Sequence, residues 1–150
     1  MENRELGIVE IYDRLEAKKD TLGLNFCIRT PTGPIDPTMV PGLIMNEGDD
    51  VITQRANRGP TGYPAKRILE VAIELLINDT DETIDLKTLF LAVKRAVFYN
   101  RDIDNPRIEV QVANNVFINE NRTEGPYGFG LPNIKGMKLV LDLIYTDNGI

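Results

Sequence analysis

Apolar side chains recur at Ile8, Ile11, Tyr12 and Leu15, the i, i+3, i+4, i+7 spacing of one helical face, and predict an amphipathic helix over residues 5–19. Acidic residues come early in it, Lys18 and Lys19 fall in its last turn, and Gly23 follows as a stop, in agreement with the helix dipole. Leu24–Arg29 then reads as a short strand, and PTGPIDP, with three prolines in seven residues, as a rigid loop. Pro41–Met45 predicts a second strand, ended by the polar turn NEGDD and resumed at Val51 and Ile52. QRANRGPTG is a loop by composition and carries Arg55 and Arg58.

In YPAKRILEVAIELLIN two periods compete. Leu69, Ala72, Ile73 and Leu76 make a tolerable helical stripe, whereas Leu69, Val71, Ile73, Leu75 and Ile77 share one face at period two, with Glu70 and Glu74 pointing away. Five consecutive alternate positions are apolar without exception, which favours a long central strand. Asp85 is a good N-cap for the clearest helix in the chain, carrying Leu86, Leu89, Phe90, Val93 and Val97 at helical spacing. Ile108, Val110 and Val112 alternate, Asn114-Asn115 suits a tight turn because Asn tolerates positive φ, and Val116–Asn119 returns as the second arm of a hairpin. Met137, Leu139, Leu141, Leu143 and Tyr145 mark a closing strand. Helix, three strands, helix, hairpin, strand is an α+β plan: a single mixed or antiparallel β-sheet with two main helices packed on one face, and long loops.

Length adds that residues 1–150 are expected to form a single domain, long enough to bury roughly two-thirds of the unfolded surface. With 42% apolar and 27% charged residues, disorder of the whole is not expected. Seventeen basic and twenty-three acidic residues give a net charge of −6, and Lys18-Lys19, Lys66-Arg67 and Lys94-Arg95 are isolated pairs. A grip on DNA phosphates needs a local cationic excess that this pattern lacks, although passage of DNA without sticking remains compatible with it. No run approaches the roughly 20 apolar residues of a membrane span, and the N-terminus lacks the apolar core of a signal peptide, which points to synthesis in a cytoplasm-like compartment and no membrane partner. The sequons at Asn78 and Asn121 are then accidental.

Histidine is absent and Cys27 is the only cysteine, so composition excludes an internal disulfide, an ordinary zinc site and any His-assisted Ser or Cys nucleophile. Glu47, Asp49 and Asp50 are the one carboxylate cluster suited to Mg²⁺ or Ca²⁺, but they miss the EF-hand spacing, and a solvated turn explains them. Glu70, Glu74, Glu109 and Glu120 offer carboxylate pairs for glycoside hydrolysis, yet alternate positions on a strand's outer side are ordinarily its wet face. Four glycines and two prolines lie between Glu124 and Gly136, but neither phosphate-loop pattern is present, Pro126 and Pro132 delete donors, and a strand follows instead of a helix. That segment reads as a loop or hairpin given reach by its glycines. Tyr127 and Phe129 within it either meet another protein or fold back onto their own sheet. Arg55 and Arg58, beside Asn57 and Gly59, suit either acidic groups of a neighbour or solvent.

No catalytic residue, metal ligand or cofactor contact is assigned. A compact scaffold with polar loops and an aromatic arm suits an assembly subunit better than a catalyst. The order of features RTPTGPIDPTMVPGLIMNEGDD, RANRGPTGYPAKRILEVAIELLI, DLKTLFLAVKRAVF and EGPYGFG before LVLDLIY resembles the tail terminator, or tail completion, proteins of long-tailed bacteriophages. The resemblance covers most of the chain and rests on no single motif. It implies a virion protein of the tail or neck, made in the host cytoplasm and closing into a homo-oligomeric ring, a hexamer, on the tail tube. Such a ring ends tube polymerisation, docks the head or neck protein and lets DNA cross its lumen without specific binding. It implies no cofactor and no catalytic residues, and by neighbourhood it places interface contacts at Arg55, Arg58, Tyr63, Tyr127 and Phe129. The alternatives are another phage neck or head-completion protein, a small carboxylate- or Mg²⁺-dependent enzyme, and a regulatory binding module.

Overall fold

The computed structural model describes residues 2–31, 33–55, 64–80, 84–99, 109–131 and 133–148, the side chains of Gln54, Arg55 and Glu109 excepted. Helix α1 spans Asn3–Lys18 and buries Ile8, Ile11 and Leu15, the stripe predicted from the sequence. Gly7 lets it lie close on the sheet, because a Cβ there would stand 2.5 Å from Leu143 Cδ1 and 2.9 Å from Val116 Cγ1. Strand β1 (Phe26–Arg29) precedes a 3₁₀ turn at Pro37–Met39, where the Asp36 carboxylate accepts from the Thr38 amide at 2.9 Å. Next come β2 (Gly42–Arg55), β3 (Ala65–Asn78) and helix α2 (Leu86–Val97). A hairpin of β4 (Glu109–Ala113) and β5 (Val116–Gly128) leads into β6 (Ile134–Asp147).

The strands form one six-stranded sheet in the order β1-β2-β3-β6-β5-β4. Among the described residues only the β1–β2 pair is parallel, so the sheet is mixed, as the α+β plan allows. The contest over residues 69–77 is settled by pairing: β3 is bonded along its whole length to β6, from Ala65↔Asp147 to Asn78↔Ile134, and on its other side to β2. Leu69, Val71, Ile73, Leu75 and Ile77 all face the main core, where they meet Leu139, Leu141 and Leu143 of β6 and Ile8, Ile11 and Leu15 of α1. Complete burial of each such side chain contributes about 1.5–3 kcal/mol.

Two expectations need correction. NEGDD does not end a strand: β2 runs through it, with a register shift between Glu47 and Asp50. A bulge uses the Gly and Asp residues that a turn would use, and the partner strand β3 decides between them. The glycine-rich segment forms the hairpin that the sequence allowed beside a loop, but reach is not what its glycines supply. Gly125-Pro126-Tyr127-Gly128 is the end of β5, paired Tyr127↔Gly136 and Gly128↔Lys135 with β6. Gly125, at φ +105, takes a backbone shape closed to most side chains, and a Cβ on it would lie 2.9 Å from the Gly136 carbonyl oxygen. The glycine there serves close approach between strands.

A second, smaller core lies apart from the helices: Val40, Ile44, Leu76 and Ile134, flanked by Phe26, Ile35 and Phe129. Ile35 and Val40 close over this corner of the sheet's other face. Leu76 belongs to it, which explains why this position of β3 is apolar although it faces away from the main core. Among the described residues no helix is long and apolar enough to cross a membrane.

Candidate functional site

Three groups of side chains are candidates for function: the carboxylates of the β2 bulge, the aromatic end of β5, and a groove between the helices. The bulge holds Glu47 and Asp50 against three arginines brought from elsewhere in the chain. Arg4 of α1 reaches Glu47 Oε2 at 3.4 Å and Asp50 Oδ2 at 3.2 Å. Arg29 of β1 donates to Glu5 at 2.8 and 2.9 Å and to Glu47 Oε1 at 3.2 Å. Arg67 of β3 lies 2.8 Å from Asp147 and 3.5 Å from Asp50 Oδ1, a buried oxygen with no hydrogen-bond donor and this guanidinium as its compensation. The Tyr145 hydroxyl, buried between these strands, donates to Asp50 Oδ2 at 2.5 Å.

The electrostatics follow from those contacts. Hydrogen bonds from Arg29 hold the Glu5 carboxyl below its usual range. Burial pushes the Tyr145 phenol up, and the adjoining Asp50 carboxylate adds to that. Burial would weaken the charge on Arg4, but Glu47 and Asp50 overcome it and leave the guanidinium more firmly protonated. Carboxylates so compensated are neither free bases nor an open cation cage. Among the described residues no group of three Cys, Asp or Glu side chains is placed to hold a metal. The arrangement ties α1, β1, β2, β3 and β6 together at one corner, and its chemistry is that of a clamp. Asp49 stands exposed on the bulge and takes no part in it.

The other carboxylates considered for catalysis are likewise engaged. Glu70 accepts from Arg122 at 3.2 Å, Glu120 from Lys94 at 2.8 Å, and Glu74 from the Tyr127 hydroxyl. The Glu109 side chain lies outside the described residues. Glu70, Glu74, Arg122 and Tyr127 lie on the face of the sheet away from the helices, where Arg122 also meets Glu124 at 3.3 Å and Lys138 approaches Glu124 at 3.9 Å. The ion pairs of Arg122 and Lys138 are exposed, and solvent screens them.

Of the five sequence-predicted contact residues, the structure describes the side chains of two, Tyr127 and Phe129. Tyr127 is half-buried, its ring packed over Gly136, and burial with the Glu74 carboxylate drives its phenol far above the ordinary value. Phe129 packs on the small core of Val40, Ile44, Leu76 and Ile134. Both rings are part of the sheet's own packing, so of the two readings left open by the sequence the structure shows the one that folds back onto the sheet. Arg55 closes β2 opposite Ala65, its side chain outside the described residues, and Arg58 and Tyr63 lie outside them altogether. The clamp arginines Arg4, Arg29 and Arg67 escaped the sequence reading, because only the folded sheet carries them to the bulge.

The groove lies between α1 and α2, with a volume of about 590 Å³, and is lined by Arg14, Lys18, Leu22, Ala92, Arg95 and Tyr99 among others. Arg14 spans its floor, bonded to Glu10 at 3.1 Å and donating to the carbonyls of Val97 and Tyr99 at 2.8 and 2.7 Å. The guanidinium thus caps the C-terminus of α2. Cys27 is buried, and that burial pushes its thiol up to about 11, which keeps it protonated and poorly nucleophilic.

No protein-family model and no curated protein matches this chain. Among solved structures it is similar to a chain described as "Virion of native gene transfer agent (GTA) particle", with 14% sequence identity, a TM-score of 0.52, and coverage of 91% of this chain and 92% of that one. At that identity the likeness is one of fold, and it extends over nearly the whole of both chains.

Proposed function

We propose that this chain is a non-catalytic structural protein of a phage-type virion, and within that class a tail terminator subunit. Copies close into a ring, a hexamer, on the head-proximal end of the tail tube, stop its polymerisation and offer the surface that docks the head or neck. The observation that carries the proposal is the fold shared end to end with a chain from a gene transfer agent virion. The order of sequence features resembling tail terminators narrows the class. The state of the carboxylates supports it further: Glu47, Asp50, Glu70, Glu74 and Glu120 are each engaged by a structural partner. A Mg²⁺-dependent enzyme built on Glu47, Asp49 and Asp50 is not favoured, because two of those three already neutralise arginines.

In this role the partners are further copies of the chain, the tail tube protein and a head-completion or neck protein, and no cofactor is needed. The loop carrying Arg55, Arg58 and Tyr63, and the β5–β6 end beside Tyr127 and Phe129, are the contacts offered to tube and neck. A net charge of −6 per subunit suits a lumen that DNA crosses without adhering.

The test is the mass of the purified protein by light scattering, alone and with the tube protein of the same phage. A species about six times 16.9 kDa, alone or only with tube protein, is expected. A monomer under both conditions would overturn the ring. A ring that binds a head connector but ignores the tube protein would favour the other reading, a neck or head-completion protein.

A further inference from the structure

The outward sides of the two helices carry opposite charge, and each has an exposed leucine that the core does not use, Leu6 in the first turns of α1 and Leu91 in the middle of α2. On α1 the side turned from Ile8, Ile11 and Leu15 presents Val9, Asp13 and Glu16, preceded by Leu6 and by Glu2 at the N-cap. These five recur at spacings of four and three, a single stripe with no cation in it. Leu6 is 37% exposed. On α2 the side turned from Phe90, Val93 and Val97 presents Lys87, Leu91 and Arg95 at spacings of four, and the helix contains no acidic residue at all. Leu91 is 45% exposed. Among the described residues Lys87 and Arg95 have no ion-pair partner, in contrast to Lys94, which Glu120 holds at 2.8 Å. Glu2 and Asp13 are equally without an ion-pair partner among the described residues, and Glu16 pairs with Lys19 at 3.7 Å on the surface and lies beside the Tyr12 hydroxyl.

Two identical chains of net charge −6 repel each other unless their contact joins unlike patches. The α2 stripe is a cationic surface within an acidic molecule, and the α1 stripe is its complement in sign and, like it, carries an exposed leucine. Helices of 12 and 16 residues are about 18 and 24 Å long, so the shorter stripe fits within the longer. The partner that matches the α2 stripe in charge and in apolar content is therefore the α1 stripe of a second copy. Such a contact is head-to-tail, and each subunit keeps one unused stripe for the next, the condition for growth into a closed ring.

We infer that neighbouring copies of this chain join by docking the Lys87–Leu91–Arg95 side of α2 onto the Glu2–Leu6–Asp13–Glu16 side of the next copy's α1. The inference rests on the ring reading above and names its interface.

Charge exchange tests it. In the variant Lys87→Glu/Arg95→Glu both stripes are acidic, and in Asp13→Lys/Glu16→Lys both are basic. Each variant alone is expected to fall from about six-fold to one-fold mass. An equimolar mixture is expected to regain the six-fold mass, because every contact in an alternating ring again joins unlike stripes. Circular dichroism checks that each variant is folded. If either is not, Leu91→Gln repeats the test without a change of charge, and lost assembly with retained fold is the expected result. A parent hexamer that neither charge variant nor Leu91→Gln disturbs, or a mixture that stays monomeric while both variants are folded, overturns this interface and leaves the ring reading standing. A parent that remains a monomer or stops at a dimer both alone and with the tube protein removes the ring and this interface together.

Discussion

Tyr127→Ala separates a detachable aromatic arm from a strand end that belongs to the domain. In the structure this residue loses two things at once: the bond from its hydroxyl to Glu74, and the half-buried ring over Gly136. A hydrogen bond to a charged group contributes about 1.5–3 kcal/mol when buried, and partial exposure here reduces it to about 1 kcal/mol. Truncating a fully buried aromatic ring costs about 3–5 kcal/mol, so a half-buried one costs about 2 kcal/mol. The sum of about 3 kcal/mol corresponds to a fall in Tm of roughly 6–12 °C for a chain of this size. Tyr127→Phe keeps the ring and is expected to cost only the first contribution, about 1 kcal/mol. Urea unfolding followed by circular dichroism measures both, with the slope of the transition required to stay constant. A Tyr127→Ala protein within about 0.5 kcal/mol of the parent would refute the packing described here and return the segment to solvent. The practical consequence is that alanine at Tyr127 confounds any assembly assay with lost stability, whereas phenylalanine at that position does so much less.

Further outcomes follow from the same geometry. Gly7→Val drives a branched side chain into Leu143 and Val116, and overpacking is expected to cost about 2–3 kcal/mol, read from the same unfolding curves. The Glu5 carboxyl is lowered in the folded state by Arg29, so its contribution is present above the unfolded value near 4.5 and is lost as pH falls through the lower folded value. Arg29→Met is accordingly expected to flatten the loss of stability below pH 4.5 in thermal melts taken across that range. Cys27, held protonated by burial with its thiol at about 11, should resist a thiol reagent at pH 8 in the native protein and react promptly in urea. Asp85→Ala removes the acceptor for the Lys87 amide and the Thr88 hydroxyl and should lower the melting temperature with a loss of helical signal.

What was legible in the sequence was whatever a single element decides for itself. Ile8, Ile11 and Leu15 declare α1 by spacing, Asp85 caps α2, and the alternation from Leu69 to Ile77 identifies the central strand. What was not legible depends on partners far along the chain. Glu47 and Asp50 look like turn residues until Arg4, 43 and 46 positions away, is laid beside them. The glycines around Tyr127 read as reach, although Gly125 serves the approach of one strand to Gly136 of the next. The exposed Leu6 and Leu91 were visible as apolar residues, but only the burial of the opposite faces reveals that the core leaves them out.

Electron microscopy of tail tubes grown from purified tube protein, with and without this chain, tests the central claim most directly. Addition of the chain at a stoichiometry of a few copies per tube is expected to shorten the tubes and leave a closed ring at one end of each. Tubes of unchanged length with bare ends, at concentrations where the chain is present in excess, would contradict the account.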